Sequence, residues 1–190
     1  NIITSNKVLS EHQKTDLIIS NITLKYTQSN SVCIAYNGKV IGIGAGQQSR
    51  IDCVKLAKRK AEIYLIRTNT LLTSQLDFRD KIKYQERVNA TIQYIENDMS
   101  ENEYRLWLDN FKTKPTFLTQ FEKKKLIDTK NLSLSSDGFF PFRDSIDQAS
   151  LLNISCISQP GGSVLDRTVV DACDEYGMSM VLTDIRLFHH

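Results

Sequence analysis

The sequence predicts an α/β protein built on a layered sheet, and three observations lead to this prediction. Apolar, strand-like runs alternate with amphipathic helical patterns along most of the chain. The pair Asn37-Gly38 joins two strand-like runs, which is typical of a tight hairpin. Two polar loops, residues 42–50 and 135–144, stand where a strand should end and a helix should begin. Because open α/β sheets bind ligands beside such helix starts, we expect a small-molecule site there.

The first part of the chain predicts a helix, a hairpin and a second helix. Ser10 can cap a helix over residues 11–24. The hairpin strands are expected at residues 31–36 and 39–43. Ser49 can cap a long amphipathic helix that continues to about residue 68.

The block at about residues 69–130 differs from its surroundings, because it is charged and purely helical in pattern. Ser100 and Thr119 are plausible caps within it. We interpret it as an insertion or a small helical subdomain within one expected domain of residues 1–190. Solvated scaffolding, a lid and a subunit contact all remain open as its role. The three helical patterns cover residues 79–97, 101–111 and 120–129.

The α/β alternation resumes after the insertion. Ser163 is predicted to cap a helix that ends near Tyr176, with Gly177 as its stop signal. The other predicted elements are strands at residues 132–135, 154–157 and 178–182 and a short helix at residues 145–149.

Composition excludes several classes of protein. A length of 190 residues with 41% hydrophobic and 24% charged residues is ordinary for a globular domain. The net charge of +2 gives no argument for a nucleic-acid partner. No apolar run approaches the ~20 residues that a membrane span needs. The four cysteines lie far apart, which is typical of buried free thiols in a reducing compartment.

Metal and dinucleotide chemistry both fit poorly. No two cysteines have the spacing of zinc ligands, and only three histidines are present. Gly42, Gly44 and Gly46 form G-x-G-x-G rather than the dinucleotide fingerprint. These glycines could still let a ligand approach the backbone, and Arg50 at the following helix start suits a phosphate or carboxylate. Alternatively, Arg50 is a surface side chain that bridges to Asp52 or Glu62.

The second loop places three phenylalanines between charged residues. One interpretation is structural, with Asp137 and Asp144 capping helices and the rings packed inward. The other is functional, with the rings stacking on a flat heterocycle and Asp144 accepting hydrogen bonds from its N–H groups. Asn30 is a further candidate, as a neutral hydrogen-bonding group at a strand end.

Four motifs resemble one known family in the same order along the chain. They are residues 25–32 (KYTQSNSV), 42–50 (GIGAGQQSR), 135–144 (SSDGFFPFRD) and 186–190 (RLFHH). The chain resembles the C-terminal half of the aminoimidazole carboxamide ribonucleotide (AICAR) formyltransferase domain. That domain occurs in bifunctional purine-synthesis enzymes that also carry inosine monophosphate (IMP) cyclohydrolase activity. The resemblance extends over essentially the whole chain and is loosest in the helical block.

The resemblance implies a fold, a reaction and two sets of binding residues. The fold would be a cytidine-deaminase-like layered sheet without zinc. The reaction would move a formyl group from 10-formyltetrahydrofolate to the amine of AICAR. Phe142 would pack beside the folate. The nucleotide would contact Asn30, Arg50, Phe139 and Arg186, and the folate would contact Ile51, Asp144, Ser163 and Val164.

The resemblance also implies which of the family's functional residues this sequence contains. The family's catalytic Lys-His pair lies in a segment that this sequence does not contain, so no catalytic residue is assigned here. The family acts as a cytosolic homodimer with active sites at the interface. A potassium ion held by carbonyl oxygens near Thr27 or the C-terminal tail is also compatible with the family. The alternative is a non-catalytic fragment that binds a ligand or another subunit.

Overall fold

The computed structural model describes residues 1–127 and 131–188, and leaves out the side chains of residues 73 and 74. The chain divides into two compact units. The sheet unit comprises Asn1–Ala61 and Lys130–His190, and the helical unit comprises Glu62–Thr129. The elements in chain order are α1 (Glu11–Lys25), β1 (Ser31–Tyr36), β2 (Lys39–Ala45), α2 (Arg50–Arg67), α3 (Thr70–Gln75), α4 (Tyr84–Glu96), α5 (Glu101–Leu108), α6 (Gln120–Ile127), β3 (Leu132–Ser136), α7 (Asp144–Ser150), β4 (Ile154–Gln159), α8 (Asp166–Glu175) and β5 (Ser179–Leu182).

The strands form one mixed sheet, which confirms the predicted α/β class. Its order is β2-β1-β3-β4-β5. Strand β1 is antiparallel to both β2 and β3, whereas β3, β4 and β5 are parallel. The carboxyl ends of β2, β3, β4 and β5 therefore lie at the same edge of the sheet as the amino end of β1. We call this the site edge, since both predicted ligand loops leave the sheet there.

The hairpin between β1 and β2 forms as predicted. Asn37 and Gly38 both have positive φ, at 50° and 74°, as a two-residue type I′ turn requires. The buried carboxylate of Asp16 on α1 accepts the backbone N–H groups of both turn residues, at 3.2 and 2.6 Å. Helix α1 therefore fixes the turn that sets the hairpin register.

Helices α1 and α2 cover opposite faces of the sheet. Asn21 of α1 donates to Ser135 Oγ, and Ser135 pairs with Cys33 across the β1–β3 ladder. Gly42, which faces α2, pairs with Ile34 on β1. Successive residues of a strand point to opposite faces, so these contacts separate the two helices. The sheet unit is thus layered, with its apolar core on both sides of β1 and β3.

Two glycines of the first motif belong to packing rather than to a ligand loop, which corrects the sequence interpretation. Gly42 and Gly44 lie within β2. A Cβ on Gly42 would lie 2.2 Å from Ala57 O, and one on Gly44 would lie 2.0 Å from Cys53 O. The backbone of α2 occupies the space where a ligand was expected. These glycines therefore let α2 pack directly on the strand.

The predicted cap at Ser163 is wrong, because α8 begins later, at Asp166. Ser163 Oγ instead accepts the N–H of Leu165, inside the preceding loop. The Asp166 carboxylate accepts the N–H groups of Gly162 and Ser163. Gly177 does end α8, with φ of 67° and the N–H of Met178 bonded to Cys173 O at 2.9 Å.

The helical unit has an aromatic core of its own. Trp107 is buried, donates to Ala90 O, and stacks at 5.3 Å from Phe117. Ser100 and Thr119 cap α5 and α6 as predicted. The sequence reasoning missed α3, a six-residue helix capped by Asn69. None of the helices in the described ranges combines the length and the apolar character needed to cross a membrane.

Candidate functional site

The residues predicted to bind ligands follow the site edge. Asn30 precedes β1 and Arg50 follows the turn after β2. Phe139 and Asp144 come after β3, Ser163 and Val164 come after β4, and Arg186 comes after β5. Residues separated along the chain are therefore brought to one edge by the strand order. This is the geometry in which α/β sheets commonly bind ligands.

Arg50 is buried and bonded to three neighbours, so it is not a surface arginine. Its Nη1 donates to Asp137 Oδ1 and, at 3.0 Å, to Ser31 O. Its Nη2 donates at 3.0 Å to Asn30 Oδ1. The alternative of a bridge from Arg50 to Asp52 or Glu62 is therefore wrong. Only 7% of the Arg50 side chain remains exposed, because the guanidinium is enclosed by its own protein partners.

Asp137 is fully buried and accepts four hydrogen bonds. Oδ1 accepts from Arg50 and from the N–H of Ser31, and Oδ2 accepts from the hydroxyls of Ser29 and Ser31. Burial by itself would raise the pKa of Asp137. The bond from Ser29 and the positive charge of Arg50 oppose this effect, and the pKa is held below its ordinary value. Asp137 is therefore ionised at neutral pH.

Asn30 lies between Arg50 and the turn after β2. Its Oδ1 accepts from Arg50, and its Nδ2 donates to Gln47 O at 3.1 Å. The backbone carbonyl of Asn30 accepts a bond from the Cys53 thiol. An amide nitrogen carries two donors, so one Asn30 N–H is left for another partner.

The tail after β5 returns to this cluster. Leu187 N–H donates to Asp137 O at 3.1 Å. A Cβ on Gly138 would lie 2.5 Å from Arg50 Nη2 and 3.3 Å from Phe188, so the absent side chain leaves room for both. Arg186 is exposed, with its guanidinium 6.0 Å from the Phe188 ring centre. Of the terminal motif, His189 and His190 lie outside the described residues.

The three phenylalanines of the second loop divide between the two interpretations. Phe140 is fully buried, and its N–H donates to Gln159 Oε1. Phe139 is half-buried, whereas Phe142 is 58% exposed. Inward packing is therefore correct for Phe140 alone, and Phe142 is available to a ligand.

The residues assigned to folate are more exposed than the Asp137 cluster. Asp144 is the first residue of α7 and accepts a bond from the Ser145 hydroxyl at 3.3 Å. Val164 is fully exposed, and Ile51 is half-buried on α2. Asp144 has no hydrogen bond to Ser163 within the described ranges. The structure thus brings the nucleotide residues Asn30 and Arg50 into direct contact, but does not bond the folate residues to each other.

Arg143 links α7 to α8 instead of facing a ligand. It donates to both carboxylate oxygens of Glu175, at 3.1 and 2.7 Å, and to Asp147. The bonds to Glu175 and Asp147 raise the pKa of Arg143. Tyr176 donates its hydroxyl to the same Asp147. The arginine of the motif at residues 135–144 is therefore engaged within the protein.

The cysteines do not provide a reactive centre. All four are buried and free, as predicted. Burial raises the pKa of Cys53 to about 11 and that of Cys33 to about 12. Both thiols are therefore neutral at physiological pH and are poor nucleophiles. In residues 1–127 and 131–188, no group of three His, Cys, Asp or Glu side chains is arranged to hold a metal ion.

A separate cleft of about 360 Å³ lies within the helical unit. None of the predicted site residues lines it. Arg87 donates to Ile82 O, and its guanidinium lies 5.6 Å from the Phe78 ring centre. Both contacts are within the helical unit. The lining residues are Arg67, Thr68, Leu76, Phe78, Tyr84, Arg87, Val88 and Thr91.

Asp137 is the residue whose importance the sequence reasoning missed. The motif analysis interpreted it as a helix cap, but it caps no helix and instead pairs with Arg50. The available signal was charge, because Arg50 and Asp137 are oppositely charged and stand in the two polar loops that the sequence placed at strand ends. Buried charges are generally paired, and such a pair accounts for both residues.

Comparisons with known proteins agree with this arrangement of motifs. The sequence model of the family described as AICARFT/IMPCHase bienzyme matches residues 1–60. The bifunctional purine biosynthesis protein PurH of Buchnera aphidicola is 31% identical over 186 residues, which cover 98% of this chain and 24% of that protein. The PurH proteins of Aquifex aeolicus and Persephonella marina are 29% and 30% identical, covering 100% and 99% of this chain and 25% of each relative.

The similarity therefore extends along the whole chain, while the chain spans about a quarter of the length of the curated relatives it matches. The family match and the relatives agree with each other, and the family match includes the first two of the four sequence motifs. The chain belongs to the AICARFT/IMPCHase bienzyme family.

Proposed function

We propose that this chain provides binding residues for a formyltransferase of purine biosynthesis. The reaction would move the formyl group of 10-formyltetrahydrofolate to the amine of AICAR, on the way to IMP. The observation that carries the proposal is the cluster of Arg50, Asn30 and Asp137 at the site edge, where three separate motifs meet. The relatives are named as bifunctional purine biosynthesis proteins, which supports the same pathway.

The nucleotide would bind at the side of the site edge that holds Asn30, Arg50, Phe139 and Arg186. Asn30 has one N–H left for an acceptor atom, such as the carbonyl oxygen of a carboxamide. Phe139 is half-buried, so one ring surface can pack against the base. Arg186 is exposed and suits an anionic group, because a guanidinium binds phosphate or carboxylate oxygens in a fixed fork.

The folate would bind at the side that holds Ile51, Asp144, Ser163 and Val164. Asp144 keeps acceptor positions beyond its bond from Ser145, and pterin N–H groups are donors that match them. Phe142 and Val164 are exposed apolar side chains, which a fused heterocycle could cover.

Several features of the family belong to the same proposal. The sheet would be the cytidine-deaminase-like fold without zinc, acting in a cytosolic homodimer. A potassium ion held by carbonyl oxygens near Thr27 or the tail belongs to the same proposal. The mixed order of the sheet, with three parallel strands beside an antiparallel hairpin, is compatible with such a layered fold.

Binding of each substrate by site variants tests the two sides separately. In the full-length gene product, Arg186→Ala is expected to weaken AICAR binding and Asp144→Ala to weaken folate binding. Losing a charge-assisted hydrogen bond costs about 1.5–3 kcal/mol, or roughly tenfold to a hundredfold in affinity. Isothermal titration with AICAR and with tetrahydrofolate measures both affinities, and a thermal scan measures the fold.

Matched controls lie in the helical unit. Arg105→Ala and Asp98→Ala remove an exposed arginine and an exposed aspartate outside the proposed site. Neither control should change either affinity. If Arg186→Ala and Asp144→Ala lower both affinities equally together with the melting temperature, the assignment of two subsites is wrong.

Catalysis provides a second test, because no catalytic Lys-His pair is assigned to these residues. A polypeptide limited to residues 1–190 should bind ligand without releasing tetrahydrofolate above the uncatalysed rate. General acid–base catalysis alone supplies about 10²–10⁴-fold. Turnover by this polypeptide comparable with that of the full-length gene product would contradict the proposal, and binding without turnover is the expected result.

A further inference from the structure

Asp137 contacts every segment that carries a proposed nucleotide residue. It accepts from Ser29 and Ser31, the two neighbours of Asn30. It pairs directly with Arg50, and its backbone carbonyl accepts from Leu187, next to Arg186. Phe139 follows on the same loop. A single buried aspartate therefore joins the entry to β1 and the start of α2 through its carboxylate, and the tail through its backbone carbonyl.

The carboxylate has no capacity left for a ligand. An ionised carboxylate has about four acceptor positions. In Asp137 all of them are used, two on Oδ1 by Arg50 and Ser31 N–H, and two on Oδ2 by the hydroxyls of Ser29 and Ser31. The side chain is also fully buried. Asp137 cannot touch a substrate directly, so any effect on binding must act through its partners.

Arg50 transmits this constraint to Asn30. The guanidinium is planar, so fixing Nη1 on Asp137 and Ser31 O also fixes the direction of Nη2. Nη2 holds Asn30 Oδ1, and Gln47 O holds one hydrogen of Nδ2. The orientation of the Asn30 amide, and hence of its remaining N–H, is therefore determined by the Asp137–Arg50 pair.

We propose that Asp137 is a positioning residue for the nucleotide, acting through Arg50 to orient Asn30. This inference rests on the proposed function and adds a residue to it. Asp137 also neutralises Arg50, so the pair presents oriented donors without a net charge. Loss of the Asp137 carboxylate should let the Asn30 side-chain amide change its orientation and so weaken nucleotide binding. Folate affinity should stay unchanged.

Asp137→Asn is the informative variant, because the fold can accommodate it. The amide oxygen can still accept from Arg50 and Ser31 N–H. The amide nitrogen would face the hydroxyls of Ser29 and Ser31, which can rotate to accept instead of donate. The charge-assisted bond to Arg50 becomes a neutral one of roughly half the strength. Asp147→Asn, in α7, is the matched control, because Asp147 bonds Arg143 and Tyr176 away from the cluster.

The test is a double-mutant cycle on the full-length gene product, with Asp137→Asn, Arg50→Met and the two combined. Isothermal titration measures affinity for AICAR, for its nucleoside without phosphate, and for tetrahydrofolate. Asp137→Asn should weaken nucleoside binding about tenfold, which corresponds to ~1.4 kcal/mol, and leave tetrahydrofolate binding unchanged. In the Arg50→Met background the same substitution should change nucleoside affinity less than twofold, since sites that act as a unit are not additive.

Each contrary result has a distinct meaning. Equal loss of nucleoside and folate affinity would show a purely structural role and overturn the inference. Tighter AICAR binding with unchanged nucleoside affinity would show that Asp137 acts only by its charge, which also overturns it. Unchanged nucleoside affinity in Asp137→Asn, with weaker binding in Arg50→Met, would refute the positioning role and keep the proposed function. Failure of the wild-type protein to bind either AICAR or its nucleoside would overturn both.

Discussion

Asp137 and Asp144 lie at the two ends of the Phe-rich loop, yet their surroundings differ completely. Asp137 is buried, paired with Arg50 and saturated with hydrogen bonds. Asp144 is exposed at the start of α7 and accepts one bond, from its neighbour Ser145. The rings repeat the contrast, since Phe140 is fully buried while Phe142 is 58% exposed.

The contrast teaches that one motif can serve stability at one end and remain available to a ligand at the other. The amino end of β1 lies beside the carboxyl end of β3, so the backbone and hydroxyl donors of Ser29 and Ser31 converge on Asp137. At Asp144 the chain has left the sheet and begins a helix at the surface. Buried polar groups need partners, whereas exposed ones keep water until a ligand replaces it.

Replacing each aspartate by alanine tests this comparison most strongly. Asp137→Ala leaves the Arg50 charge buried without its partner, and breaking a buried pair in this way costs about 3–5 kcal/mol of unfolding free energy. Asp144→Ala should change the unfolding free energy little, because its side chain is exposed. Urea unfolding at pH 7 measures both. Equal midpoints for the two variants would show that the Asp137 network does not stabilise the fold.

Phe140 and Phe142 give a second pair of variants, whose difference in unfolding free energy should be of similar size. Phe140→Ala removes a fully buried ring and should cost about 3–5 kcal/mol, through lost burial and the cavity that remains. Phe142→Ala should stay within ~0.5 kcal/mol in stability, while weakening folate binding. Urea unfolding and folate titration of each variant make the comparison. A stability loss at Phe142 as large as that at Phe140 would remove the distinction between the two ends of the loop.

Gly138→Ala perturbs Arg50 without removing any charge. The added Cβ would meet Arg50 Nη2 at 2.5 Å and Phe188 at 3.3 Å, so the guanidinium or the tail must move. Overpacking of this kind costs about 1–3 kcal/mol. Nucleotide affinity should fall with the unfolding midpoint. Gly162→Ala serves as the control, since no atom of residues 1–127 or 131–188 that the structure describes lies within 4 Å of the added Cβ, while the φ of 96° resists the substitution. The control should lose stability and keep nucleotide affinity.

The pH dependence of stability gives the smallest effect. The pKa of Asp137 is lowered in the folded protein, against the burial that would raise it, by Ser29, Arg50 and Ser31. As the pH falls, the unfolded chain binds a proton at Asp137 before the folded protein does. The contribution of Asp137 to the unfolding free energy is therefore complete above its ordinary pKa of 3.8. It is lost as the pH falls through the lower pKa of the folded protein. Stability should rise with pH across this window.

Comparison of the wild-type protein with Asp137→Asn isolates this contribution. Their difference in unfolding free energy should shrink as the pH falls from 7 to below 3.8. The shrinkage should persist at high salt, because buried charges are screened less than exposed ones. A difference that is constant over this range would mean that Asp137 has the same pKa in the folded and unfolded protein.

Local signals along the chain were sufficient for most elements. Ser10 with Gln13 forms the capping box that starts α1, and Asn37-Gly38 forms the predicted turn. The helix α3 was missed because its six residues are too few to show a helical period. Ser163 was assigned as a cap because serine favours that position, but Asp166 binds the loop N–H groups and the helix starts later. At Ser163 a neighbouring interaction therefore outweighed local propensity.

The sequence by itself determined the α/β class, the family and the places where strands end in polar loops, since these depend on residue type and short spacing. Only the tertiary structure decided that Arg50 pairs with Asp137, that Gly42 and Gly44 serve helix packing, and that Phe142 rather than Phe140 faces outward. Those outcomes depend on which strands become neighbours. The order β2-β1-β3 places the end of β3 beside the start of β1, a contact between residues far apart in sequence that local patterns do not encode.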